Sequence, residues 1–141
     1  MRDLLAHARK LGVKVHVAHL PHPYQGYYDS EKKLVVYGFD LSPVERRCVL
    51  AHELGHAFYD HQCEDDPAFE EAADLYAALL LIDPEDFVYA EQIDPSPGAI
   101  AEELGVTTDL IRVYEKRALT RLQGVTYVGA RMGARQFRWS G

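Results

Sequence analysis

Cysteine is scarce in this chain of 141 residues: only Cys48 and Cys63 occur. Two thiols cannot build the disulfide framework of a small secreted domain, and a chain of this length buries a core without one. No apolar run approaches the roughly 18 residues that read as a membrane span. The opening Met1-Arg2-Asp3-Leu4-Leu5-Ala6-His7 mixes charge with apolar residues and has no continuous apolar segment of the signal-peptide kind. Internal repeats and low-complexity linkers are missing too. These absences predict one cytoplasmic domain over 1–141 with no membrane partner. Positive charge is the most uneven deficit. Residues 48–111 contain no Lys or Arg, yet they carry 16 of the 22 acidic residues of a chain whose net charge is −7. Such a field repels nucleic acid and favours cations or basic peptide segments; it fits equally a solvated acidic face that serves solubility.

The composition is otherwise that of a globular protein, 48% hydrophobic and 26% charged. Residues 1–11 read as a short amphipathic helix, with Leu4, Leu5, Ala8 and Leu11 on one face and Gly12 as its stop. From Val13 to Ala18 apolar and polar residues alternate, as in a strand. Gln25 to Tyr28 and Leu34 to Tyr37 are further strand candidates, joined by a hairpin turn at Asp29-Ser30-Glu31-Lys32. Ser42-Pro43-Val44-Glu45 combines an N-cap, a proline at the first helical position and a capping box. It predicts a helix from Pro43 to about His61. A second long helix follows Pro67 and runs through Leu81, with Asp83-Pro84 as its stop. Shorter helices over 98–105 and 108–123 flank Gly105-Val106-Thr107. The tail from Gly124 places Arg131, Arg135 and Arg138 among Phe137 and Trp139.

On the first long helix stands His52-Glu53-Leu54-Gly55-His56. Imidazoles four residues apart lie on one helical face and can reach one metal ion, and the adjacent carboxylate can take a proton from water at that ion. A catalytic zinc takes three protein ligands and keeps a position for water. The second helix offers the third. Glu70 and Asp74 are one turn apart, so Glu70 can bind metal while Asp74 holds the outer nitrogen of a ligand histidine, the division of work in glutamate-type zinc peptidases. Glu71 is the rival; about 100° of rotation separates it from Glu70, and only Glu70 has an acid one turn further on. The predicted set is therefore His52, His56 and Glu70 as ligands of Zn²⁺, Glu53 as the catalytic base, and Asp74 behind the ligands. Zinc lowers the pKa of its water to about 7, which supplies a nucleophile at neutral pH. His61 reads as a surface residue or as a partner to a ligand. A His61–Cys63 metal pair lacks completing residues, and Cys48 reads as core. His7, His16, His19 and His22 have no supporting pattern. Tyr27, Tyr28 and Tyr76 are unranked candidates for an oxyanion donor.

The segment Leu50-Ala51-His52-Glu53-Leu54-Gly55-His56-Ala57, then His61, then Glu70-Glu71-Ala72-Ala73-Asp74-Leu75-Tyr76-Ala77-Ala78-Leu79-Leu80-Leu81, resembles the ImmA/IrrE family of zinc metallopeptidases. Asp74 stands where the family usually has Asn, Tyr76 where it has Phe, and Ile82-Asp83-Pro84 replaces a Met-Pro ending. The resemblance implies an α+β fold: a small zincin-like core with a short twisted sheet over the active-site helix, followed by C-terminal helices. On the sequence the catalytic core covers about 13–87. The resemblance also implies a protein substrate, since the family is associated with cleavage of helix-turn-helix repressors in bacteria, phages and mobile elements. Some members carry a helix-turn-helix-like segment, and Ala99 to Ile111 fits that description, within a helical segment of about 98–123 ahead of the basic tail at 124–141.

Two functions follow. One is an intracellular zinc endopeptidase acting on a regulatory protein. The other is a regulator that binds DNA or a repressor through the helix-turn-helix-like segment, with a structural or vestigial metal site. Arg112 with Lys116, and Arg117 with Arg121, could meet phosphates, but Glu102, Glu103 and Asp109 flank that surface and disfavour DNA. An intact Glu53 favours the enzyme, because a structural zinc site needs no base.

Overall fold

Ser42 and Glu45 cap each other at the start of the longest helix. The Ser42 hydroxyl accepts from the Glu45 amide at 3.2 Å, and the Glu45 carboxylate accepts from the Ser42 amide at 3.0 Å. With Pro43 in the first turn, this capping box contributes about 1 kcal/mol to where the helix begins. The computed structural model in which this is seen describes residues 1–63 and 65–118. The expected basic tail, and residues 119–123 of the expected last helix, lie outside the described residues.

The fold is α+β, as expected. Its helices are α1 (Arg2–Lys10), α2 (Pro43–Tyr59), α3 (Pro67–Leu81), α4 (Pro84–Ile93), α5 (Pro97–Leu104) and α6 (Thr108–Val113), and α6 continues into a π-helical turn at Tyr114–Ala118. The strands are β1 (Lys14–Ala18), β2 (Gly26–Asp29) and β3 (Leu34–Gly38). They form one sheet in the order β1-β3-β2, with β1 parallel and β2 antiparallel to the central β3. The β2–β3 turn falls where the sequence puts it, and Asp29 Oδ1 accepts from the amides of Glu31 and Lys32. Among the described residues no helix is long and apolar enough to cross a membrane.

The α4 helix has no counterpart among the helices expected from the sequence. Asp83-Pro84 does stop α3, but the same pair starts the next helix: Asp83 Oδ1 accepts from the Glu85 amide at 2.8 Å, and Pro84 occupies the first turn. A proline that cannot continue one helix is well suited to begin another.

Helix α2 is the middle layer. At about 100° per residue its positions sort into stripes. Leu50 and Leu54 face α1 and the sheet, in a cluster with Leu4, Ala8, Val13, Tyr28 and Val35. Cys48 and Ala51 face α3 to α6, packed among Ala77, Ala78, Phe87, Ile100 and Ile111. His52 and His56 occupy the stripe left between these two cores. Val49 and Glu53 turn toward Gly26 of β2, where an added Cβ would lie 2.7 Å from Val49 Cγ1 and 3.4 Å from Glu53 Cγ.

Gly55 sets how closely α2 and α3 approach. A Cβ there would meet the Cα of Ala73 at 2.9 Å and its carbonyl oxygen at 3.1 Å. Backbone cannot swing aside as a long side chain can. Gly55→Ala should therefore destabilise the protein by about 1–3 kcal/mol, even though alanine is intrinsically the better helix former. A denaturant melt showing unchanged or raised stability would contradict the close helix crossing.

Candidate metal centre

The close crossing of α2 and α3 brings four of the predicted side chains together. Nε2 of His52 lies 2.8 Å from Glu70 Oε2, and Nε2 of His56 lies 3.3 Å from the same oxygen. One ligand atom from each of His52, His56 and Glu70 falls within 4.8 Å of the other two. The two imidazoles stand edge to face, 81° apart, with ring centres separated by 4.8 Å. His56 is fully buried, whereas 41% of the Glu70 side chain is exposed, so the cluster opens to solvent on the α3 side.

The outward nitrogens are held as well. Nδ1 of His52 lies 2.9 Å from Asp74 Oδ1, and Nδ1 of His56 lies 2.9 Å from Nδ1 of His61. A nitrogen whose proton is given to an outer partner leaves the opposite nitrogen with its lone pair pointing inward, the tautomer a metal needs. Two inward Nε2 atoms, an inward carboxylate and outer partners for both rings make a donor set that fits zinc.

Glu71, the rival third ligand, points elsewhere. Its carboxylate accepts from the guanidinium of Arg117, in the π-helical turn after α6, at 2.5 Å. Glu53 is 5% exposed, enclosed between α2 and β2 one position from His52. Two of the tyrosines considered as oxyanion donors have hydroxyls engaged away from the cluster. Tyr28 donates to Asp60 at 2.8 Å, and burial together with that carboxylate pushes its ionisation up, so it stays a donor. The Tyr76 hydroxyl bonds with Nε2 of His7. Tyr27 is exposed on β2.

Opposing effects act on the protonation of His52. Burial works to lower its pKa, but the hydrogen bond to Asp74 and the charges of Glu53, Asp74 and Glu70 outweigh it and raise the value to about 9. Zinc must displace that proton. Below pH 9 the affinity for zinc should therefore climb with pH, by about tenfold per unit from His52 alone, and level off above it. Chelator-buffered titrations between pH 6 and 8 check this; an affinity flat across that window would contradict the raised His52.

The sequence pattern of the peptidase family described as "IrrE N-terminal-like domain" matches residues 8–113, from the end of α1 to the end of α6. The chain belongs to this family. Family membership supports a metallopeptidase-like function, and IrrE-like peptidases are zinc-dependent in general, in agreement with the group formed by His52, His56 and Glu70. No match is found among curated proteins.

On the sequence His61 fits either a surface residue or a partner to a ligand. In the IrrE-like fold it is buried against His56. The available signal was its distance from the motif. Five residues past His56 is one position beyond a helix end, where a left-handed residue folds the chain back. The His7–Tyr76 bond had no signal, since it spans 69 positions. In the segment compared with a helix-turn-helix, α6 has only six residues and buries Leu110 and Ile111. Arg112 lies 3.6 Å from its own neighbour Asp109.

Proposed function

We propose that this chain is a zinc endopeptidase, a single catalytic domain acting in the cytoplasm on a regulatory protein, namely a helix-turn-helix transcriptional repressor of a phage or mobile element. The observation that carries the enzymatic part is the meeting of His52 Nε2, His56 Nε2 and Glu70 Oε2, with Glu53 enclosed next to them. A zinc ion held by His52, His56 and Glu70 would supply the Lewis acidity that activates water and polarises the scissile carbonyl. Glu53 takes the proton from the attacking water and delivers it to the amine that leaves as the C–N bond breaks. Asp74 keeps His52 in the tautomer that faces inward.

Substrate access is compatible with this chemistry. Among the described residues β2 pairs only with β3. An extended peptide adding as a further strand along its other edge would run beside the Gly26 that abuts Glu53. The repressor as substrate rests on the resemblance to ImmA/IrrE peptidases. The reading as a DNA-binding regulator is weaker, because Arg117 is committed to Glu71 and Arg112 lies beside Asp109.

The test is a cleavage reaction. Purified protein supplied with zinc is incubated with purified helix-turn-helix repressors of phages and mobile elements, and with any transcription regulator found encoded beside it, and the products are mapped by mass spectrometry. One defined pair of fragments, lost on adding a zinc chelator, is expected. A regulator left intact contradicts the proposed substrate.

A further inference from the structure

His61 is held on every side by geometry that a surface histidine would not have. Helix α2 ends in a Schellman-type turn: Asp60 takes the left-handed conformation (φ 54°, ψ 48°), the Asp60 amide bonds to the Ala57 carbonyl, and the His61 amide bonds to the His56 carbonyl at 2.9 Å. Left-handed Asp is unfavourable by itself. It is tied down by the Tyr28 hydroxyl at 2.8 Å and by Lys33 Nζ at 2.9 Å. The turn carries His61 back beneath His56. The His61 ring is then stacked on Phe69 of α3, with 4.0 Å between ring centres and 6° between planes, and on Tyr59, at 5.2 Å and 11°. Only 8% of His61 is exposed.

We infer that His61 is a positioning residue for the metal: its Nδ1 accepts the proton on Nδ1 of His56 and so fixes His56 with an Nε2 lone pair toward Glu70. The inference deepens the proposed function and rests on it. The assignment of protons follows from chemistry. His56 can offer Nε2 to a metal as a neutral ring only with its proton on Nδ1. That proton points at His61 Nδ1, 2.9 Å away. His61 must then be the acceptor, with its own proton on Nε2. The role that Asp74 plays for His52 is thus played for His56 by a second imidazole. The Phe69 and Tyr59 faces prevent its ring from rotating out of line.

The experiment compares zinc affinity, by competition with a chromogenic chelator, in the full chain and in His61→Leu and His61→Asn. Leucine removes both the ring stacking and the acceptor, while asparagine removes the stacking but restores an acceptor oxygen near the Nδ1 position. Loss of an outer partner weakens metal binding by about 10–100-fold. That loss is expected in His61→Leu, with His61→Asn recovering most of it. ¹⁵N and ¹H imidazole spectra of the zinc-loaded protein provide a second readout: the His56 Nδ1–H proton should be hydrogen-bonded and slow to exchange in wild type and His61→Asn, and lose both properties in His61→Leu. If both variants lose affinity equally, or neither does, the positioning role is overturned while the proposed function stands. If wild type itself binds no zinc, the proposed function fails and this inference fails with it.

Discussion

Replacing Glu53 by Gln is expected to lower cleavage by about 10²–10⁴-fold while leaving zinc bound in full. Glutamine matches glutamate in shape, and the site between α2 and β2 is tight, since Glu53 is 5% exposed and its Cγ lies against Gly26. Packing should therefore survive the change. What is lost is the capacity to take a proton from water and return it to the leaving amine. The measurement is the rate of fragment release from the regulator, taken with zinc content of the same preparation. Cleavage within a few-fold of wild type would remove Glu53 from the chemistry. A variant that cleaves nothing yet relieves repression as well as wild type would favour the regulator reading.

The second large effect separates neighbouring carboxylates. Glu70→Ala should weaken zinc binding by more than the about 10–100-fold expected for loss of an outer partner such as Asp74. Glu71→Ala should leave it unchanged. The two residues share a helix turn but not a direction. The Glu70 carboxylate lies 2.8 Å from His52 and 3.3 Å from His56, while Glu71 holds Arg117. The Glu71–Arg117 pair is a partly exposed surface pair, so its loss should alter stability by no more than about 1 kcal/mol. Equal losses of zinc affinity in both variants would mean that the α3 acids act through their general field rather than by contact.

What is legible in the sequence follows from local rules. The capping box at Ser42, the four-residue spacing of the histidines and the matching spacing of Glu70 and Asp74 are all properties of one helix at a time. Helical geometry converts them directly into shared faces. Which of Glu70 and Glu71 shares a face with Asp74 is legible in the same way. The α+β class was legible for a similar reason, because period-two alternation precedes period-3.6 stretches along the chain. Features that depend on contacts between distant segments were not legible. Gly55 reads as a mild helix weakness, and only the approach of Ala73 gives it a purpose. Gly26 likewise acquires its meaning from Val49 and Glu53 across the layer. The α4 helix was hidden because Asp83-Pro84 signals an end and a beginning with the same two residues. His61 needed the left-handed Asp60, a conformation the sequence does not announce because glycine is the usual residue there.

The most direct measurement is zinc stoichiometry and coordination in the purified full chain, by elemental analysis together with X-ray absorption at the zinc edge. One zinc per chain, bound by two imidazole nitrogens and a carboxylate oxygen and lost in His56→Ala and Glu70→Ala, is the predicted result. Substoichiometric zinc, or zinc retained undiminished when both of those side chains are removed, would contradict the metal centre between α2 and α3.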